Sequence, residues 1–407
     1  MSEHEENQKE KFYKVLLLFG IIFVAFNLRP AITAIGPIIG MIRADFGISN
    51  GTAGFITTLP LLSFAAFSIL APRLGQKLGN EQTILLGLFV LFFGIIIRSI
   101  GFISTVFLGT LLVGVGVAIG NVLLPGIVKA KFPSKVGIMT SMYTTSMNTF
   151  AALGSGISIP LAQGLRLGWQ KSLAFWAVIA LIAIIIWLPQ LKGNLRRRKS
   201  SKGQPSSIKE LWGSAVAWQV TLFMGLQSFL FYCSIAWIPE ILKSGGMNLP
   251  TAGWLLSLMQ LIGLPATFLA PVLAGRFQTQ KGIVLVICIF YFAGMLGLLL
   301  GSTYSMSVIS IICVGVAQGA SISLALTLIG LRTRGARQAA NLSGMAQSIG
   351  YLLAAIGPSL IGFLFDRTHS WTIPLVILCV VVGLMAIAGV GAGKDRFVVE
   401  ESVVNNN

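Results

Sequence analysis

Residues 192–209 read KGNLRRRKSSKGQPSSIK, with seven basic side chains, serine, glycine and proline, and almost nothing apolar. A run of like charges of this kind is solvated and cannot enter a packed core. On both sides the chain turns apolar. Towards the amino terminus the apolar runs fall at about 171–190, 137–163, 105–128, 83–101, 53–72 and 15–41. Towards the carboxyl terminus they fall at about 214–242, 252–274, 282–301, 305–330, 339–365 and 371–391. Each is near the roughly 20 residues needed to cross a bilayer as a helix. Of the 407 residues, 55% are hydrophobic and 10% charged, with a mean hydropathy of +0.86; soluble domains carry about 25% charged residues. This excludes a soluble globular enzyme, a disordered tail protein, a coiled coil and a small disulfide scaffold. Backbone in lipid must satisfy its own hydrogen bonds. The expectation is therefore an all-α integral membrane protein with twelve transmembrane helices in two six-helix bundles. The expected order is a tail at 1–14, a bundle at 15–191, a basic linker at 192–211, a second bundle at 212–391 and a tail at 392–407.

The formal net charge of +17 would point to nucleic acid in a soluble protein. Here the charges sort by loop parity. With the amino terminus inside, 22 of the 29 basic residues fall in inside segments. Arg43, Arg98, Arg166, Lys171, Lys243 and Arg367 fall in outside segments or outer helix ends, and Arg29 stands alone. The positive-inside rule then places both termini in the cytoplasm, with the bilayer, not nucleic acid, as the partner. Cys233, Cys288, Cys313 and Cys379 lie in apolar runs without CxxC spacing, so neither a metal site nor a disulfide framework is expected. The first apolar run is too long for a signal-peptide core.

The two sets of runs repeat one another. Thr52-Ala53-Gly54 returns as Thr251-Ala252-Gly253, Leu70-Ala71-Pro72 as Leu269-Ala270-Pro271, and Gly116-Val117-Ala118 as Gly315-Val316-Ala317, all 199 residues apart. Six helices duplicated in one orientation are the mark of a parallel-repeat transporter, whose substrate site is expected between the halves near the midplane.

With this layout the chain resembles the major facilitator superfamily. That family carries a loop motif after the second span, Gly-x-Leu-Ala-Asp-Arg-x-Gly-Arg-Arg. Here the region reads Pro72-Arg73-Leu74-Gly75-Gln76-Lys77-Leu78-Gly79-Asn80-Glu81. Leu74, Lys77 and Gly79 fit, but Gln76 stands where the family has Asp, so no conformational role for that acid carries over. Asn27-Leu28-Arg29-Pro30 in the first span and Gly120-Asn121-Val122-Leu123-Leu124-Pro125 in the fourth resemble the branch that contains cyanate and 2-nitroimidazole transporters. The resemblance implies a bacterial plasma-membrane, multi-pass carrier.

Arg29 is the one deep charge. Lys14 and Arg43 flank it 15 and 14 residues away, about 20 Å at 1.5 Å per residue. A mid-span arginine is costly and should face water or a partner. Pro30 removes a helical donor and frees a carbonyl one turn earlier. The planar, permanently charged guanidinium suits a carboxylate-like or nitro-like pair of oxygens; the alternative is a structural arginine satisfied by carbonyls or a fixed ion pair. Asn27 and Asn121 are its candidate neighbours, with helix–helix hydrogen bonding as the alternative for Asn121. Gln347 and Tyr351, four residues apart on one face, are candidates from the second half, and Tyr143 and Asn148 from the fifth span. Packing between helices is an equal reading for these four. Glu240 is the one acid placed within a span and is the candidate for proton coupling; an outer-surface pair with Lys243 is the competing reading.

The function expected is secondary active transport of a small anionic or strongly polar solute, cyanate-like or nitro-heterocycle-like, by alternating access, with a proton as candidate coupling ion. A broad-specificity drug or metabolite efflux carrier of the same fold is the alternative. A membrane enzyme or sensor is disfavoured: His4 and His369 lie at or beyond the membrane boundary, and no HExxH, GxSxG or phosphate-binding loop is present. No cofactor or metal is expected, and a monomer is.

Overall fold

The computed structural model describes residues 3–48, 50–193, 208–301 and 303–399. Most of the basic linker 192–211, the first two residues of the amino-terminal tail and residues 400–407 lie outside the described residues. Among the described residues the chain carries helices and no strand. In order they are α1 Glu3–Ala25, α2 Pro30–Thr33, α3 Ile39–Phe46, α4 Asn50–Ser68, α5 Leu70–Leu78, α6 Asn80–Arg98, α7 Ile103–Lys131, α8 Val136–Ile159 and α9 Gly168–Trp187. There follow α10 Ile208–Gly213, α11 Ala215–Ser244, α12 Leu249–Arg276, α13 Lys281–Leu300, α14 Tyr304–Leu331, α15 Ala336–Thr368 and α16 Thr372–Ala392.

Ten stretches of the described residues are long and apolar enough to cross a membrane. The first, Tyr13–Phe46, unites α1, α2 and α3. An eleventh is the bent pair Gly54–Ser68 and Leu70–Leu78, which meet at 52°. Pro72 explains the bend: it has no N–H for the Ser68 carbonyl four residues back, and its ring crowds that turn. The fifth expected span is a continuous 24-residue helix, α8, but it is not apolar enough to qualify by composition. Its middle reads MTSMYTTSMNTF. The polar side chains Thr140, Ser141 and Thr144 are buried in protein, so this helix need not be apolar all round.

The chain divides into two compact units. One holds residues 1–127 and 142–204, the other 128–141 and 205–407. In the first, α9 packs on α1 and α6. Glycines let α7 approach its neighbours closely. A methyl group at Gly114 would lie 2.6 Å from Ser63 Cβ on α4, and one at Gly116 would lie 2.6 Å from the Gly87 carbonyl on α6. In the second unit α11 runs along α15 and α16, and α14 lies against α12 and α13. There a methyl group at Gly315 would strike the Met259 carbonyl, and one at Gly294 would lie 2.6 Å from Val314. Within each unit, then, the fourth helix of the repeat is the closely packed partner of the second and third. Small residues are the usual means of such contacts where lipid offers no hydrophobic drive between helices. Residues 128–141, from the first repeat, group with the second unit through backbone contact. Ser141 Oγ donates to the Phe268 carbonyl at 2.6 Å, and Gly137 leaves room for Pro271 and Gly275.

Candidate functional site: the interrupted first span

The first span breaks between α1 and α2. After Ala25 the hydrogen bonds shorten their reach: Asn27 N–H bonds to the Val24 carbonyl and Leu28 N–H to the Ala25 carbonyl, three residues back rather than four. Asn27 compensates with its side chain. Its amide donates to the Phe23 carbonyl at 2.8 Å and to the Ile179 carbonyl of α9 at 3.3 Å, and the residue is buried. Arg29 precedes Pro30, and its carbonyl accepts from Ile32 and Thr33 to start the new turn. Pro30 suits a first helical position, where its missing N–H is no loss. Arg29 is half-buried.

Four helices of the first unit close around this break. From α7, Gly120 faces Leu28, whose Cδ2 would lie 2.5 Å from an added Cβ. From α8, Phe150 stacks on Phe26 at 3.8 Å between ring centroids, and the Ala151 carbonyl accepts from Thr33 Oγ1 at 2.9 Å. Gly154 lies directly beneath Pro30: an added Cβ would be 2.9 Å from Pro30 Cα. From α9 comes Ile179, and from α6 comes Arg98. Tyr143, Met147, Ala151 and Gly154 follow the helical repeat, so Tyr143 shares the face of α8 that touches the break. It lies about 16 Å along the axis from Gly154, and Asn148 about 9 Å.

The structure thus holds Arg29, Asn27, Asn121, Tyr143 and Asn148 on α7, α8 or the break itself, all within the first unit. Asn121 is buried, and its amide donates to the Val117 carbonyl of its own helix at 3.3 Å. Gln347 and Tyr351 are buried in the second unit on α15, where Gln347 Nε2 donates to Ser343 Oγ at 2.8 Å. Glu240 is exposed near the end of α11 and sits 3.9 Å from Lys243, the geometry of a surface pair. A cavity of about 350 Å³ in the second unit, lined in part by Phe365, His369 and Trp371, includes none of the candidate binding or coupling residues.

Two residues escaped the sequence reading. Arg98, counted there as an outer helix-end charge, is 1% exposed and donates through Nη1 to the Ala31 carbonyl at 2.5 Å. A charge with apolar neighbours and no acid near it in sequence is the signal that was available. Arg332, counted as a loop charge, is 2% exposed. Its Nε donates to the Ala392 carbonyl at 2.8 Å, its Nη2 to Gln280 Oε1, and Nη1 lies 3.4 Å from Asp395. Its own carbonyl accepts from Val398. Burial lowers the Arg332 pKa, against the opposing pull of Asp395. This cluster ties the segment after α16 to the start of α13 and the end of α14.

The model of the Major Facilitator Superfamily matches residues 17–358. The chain is 55% identical to the uncharacterized transporter YycB of Bacillus subtilis over 405 residues, 99% of each chain. It is 38% identical to the 2-nitroimidazole transporter of Escherichia coli over 94% of this chain and 96% of that one. It is 25% identical to the cyanate transport protein CynX of the same organism, over 91% and 96%. The fold matches a solved structure of the proton:xylose symporter XylE with a TM-score of 0.73 at 13% identity, covering 95% of this chain and 97% of that one. An all-helical chain of duplicated apolar segments, broken at a charged first span and matched almost end to end by these carriers, is a multi-pass membrane transporter of the Major Facilitator Superfamily, in the branch of the 2-nitroimidazole and cyanate transporters.

Proposed function

We propose that the protein is a secondary active transporter of a small anionic or strongly polar, electron-rich solute, and that Arg29 is the residue that binds it. The observation that carries this reading is a permanent positive charge, half-buried at an interruption of the first span that four helices hold in place. An interrupted helix presents backbone groups as well as side chains to a solute, the arrangement carriers use for charged cargo. The guanidinium adds a planar pair of donors matched to two neighbouring oxygens or to the ends of a small linear anion. The relatives named for 2-nitroimidazole and cyanate transport fit the same chemistry. Asn121, Asn148 and Tyr143 supply neutral hydrogen-bonding groups on the helices that surround the break. Gln347 and Tyr351 are the corresponding candidates of the second unit. The motion is alternating access in a bacterial plasma membrane. Glu240, exposed and 3.9 Å from Lys243, favours the outer-surface pair over the coupling role.

The test is uptake by the full-length protein in liposomes. Wild type should show saturable flux of cyanate or a nitroimidazole without chemical conversion. Arg29→Ala and Arg29→Lys should abolish or sharply reduce it at unchanged protein yield. Wild-type kinetics in both variants would end the assignment of Arg29.

A further inference from the structure

Arg98 holds more charge than its surroundings use. It is the last residue of α6, and its side chain is among the largest that the fold buries completely. Only Nη1 has a partner, the Ala31 carbonyl; Nε and Nη2 are buried and meet no acceptor among the described residues. The ion pairs of Lys243 with Glu240 and of Arg332 with Asp395 do not involve it. A buried charge without a counter-charge is expensive, and an arginine cannot escape by giving up its proton. Helix packing imposes the burial. Gly109 of α7 lies so close to Arg98 that a Cβ there would strike the Arg98 backbone nitrogen, and Gly94 one turn earlier meets Val113 in the same way. The carbonyl that Arg98 grips belongs to the second residue after Arg29. Arg29 thus directly precedes Pro30, the Arg98 guanidinium is bonded to the residue that follows it, and among the described residues no acid pairs with Arg98.

We propose that Arg98 is a specificity-determining residue of the transport site: its uncompensated charge sets a positive potential at the break and makes the site favour an anion over a neutral solute of similar shape. This rests on the assignment of Arg29 as the binding residue. An anion held by Arg29 also relieves the unpaired charge of Arg98, whereas a neutral solute leaves it as it was. The hydrogen bond to Ala31 fixes the distance at which that potential acts. Coulomb attraction in a partly buried site falls only slowly with distance, so Arg98 need not touch the solute.

The experiment compares two probes on the purified full chain: cyanate, an anion, and 1-methyl-2-nitroimidazole, which cannot ionise. Affinities come from the concentration dependence of the thermal shift. Arg98→Met keeps the length of the stem and removes the charge; Arg98→Lys keeps the charge and loses the fork. Arg98→Met should lose about tenfold or more in cyanate affinity with less than a threefold change for the neutral probe, and Arg98→Lys should keep most of the anion preference. A purely structural role would weaken both probes together, and that outcome, or no change for either, overturns the inference. If Arg98→Met does not fold, loss of the preference in Arg98→Lys overturns it equally. Arg29→Ala is run beside them. If Arg29→Ala loses cyanate while Arg98→Met keeps it, only the role of Arg98 falls. If Arg29→Ala binds both probes as wild type does, or wild type binds neither, the transport-site reading falls and this inference with it.

Discussion

Gly154 gives the sharpest test of how the break is held. A methyl group there would sit 2.7 Å from Thr33 Oγ1, 2.9 Å from Pro30 Cα and 3.0 Å from Pro30 Cβ. Carbon atoms rest at about 3.5–4.0 Å, so α8 and the break would have to separate by roughly 0.5–1 Å. Thr33 can turn its hydroxyl at the expense of its bond to Ala151. Pro30 cannot turn, because its ring fixes the backbone. Overpacking of this kind costs about 1–3 kcal/mol. Replacing a helical glycine by alanine returns about 1 kcal/mol of propensity. Gly156 supplies the control: it lies two residues on in the same helix, exposed, with nothing within 4 Å of an added Cβ. The propensity effect is shared, so the difference between Gly154→Ala and Gly156→Ala isolates the clash, at about 1–3 kcal/mol against Gly154→Ala. Thermal unfolding of the purified full chain measures stability, and cyanate saturation in liposomes measures the site. Gly156→Ala should match or exceed wild type in both. Gly154→Ala should be less stable than the control and weaken solute affinity about tenfold, the equivalent of 1.4 kcal/mol. Indistinguishable variants would refute the claim that the α8 backbone braces Pro30.

Further expectations concern charge. Removing the Arg29 guanidinium should cost at least about 2 kcal/mol of anion binding, roughly 30-fold in apparent affinity, since a charged partner is left without its donor; a titration of transport against cyanate concentration reads this. Arg332→Met leaves the Ala392 carbonyl and Gln280 without their donor and should lower stability by about 2–4 kcal/mol. Asp395→Asn should change it by no more than about 1 kcal/mol, because Asp395 is largely exposed; melting curves of the two variants side by side separate these cases. Glu240→Gln should leave the rate of transport unchanged, because the residue is exposed beside Lys243, and a loss of flux in liposomes would contradict this.

Much of the architecture was legible because lipid leaves the chain few options. Long apolar runs had to be helices, and they are. The break was legible in part: Pro30 frees a carbonyl one turn earlier within a single expected span at 15–41, whereas α1 ends at Ala25 and α2 begins only at Pro30. What the sequence concealed was rotation about the helix axis. Arg98 and Arg332 lie at helix ends, where counting charges by loop reads every arginine as solvated. Their burial depends on which way each side chain turns, and for Arg98 on a glycine of another helix that admits its backbone. Asn27 shows the same limit. It was singled out as a partner of Arg29, and its amide is engaged with the Phe23 and Ile179 carbonyls, contacts that depend on the packing of α9. The fifth span exposes a limit of hydropathy itself, which averages around a helix and cannot see that polar residues have protein rather than lipid beside them.

That last helix bears on biogenesis. A segment with Thr140, Ser141, Thr144 and Asn148 in its middle is a poor substrate for one-at-a-time partitioning from the translocon into lipid. Several of its hydroxyl residues, Thr140, Ser141, Thr144 and Ser158, are buried, and Ser172 of α9 donates to the Ser158 carbonyl. Such a helix is stable in the bilayer only when its neighbours are already there to cover it. The first unit is therefore expected to assemble as a group, with α8 retained at the insertion machinery until α9 emerges to escort it.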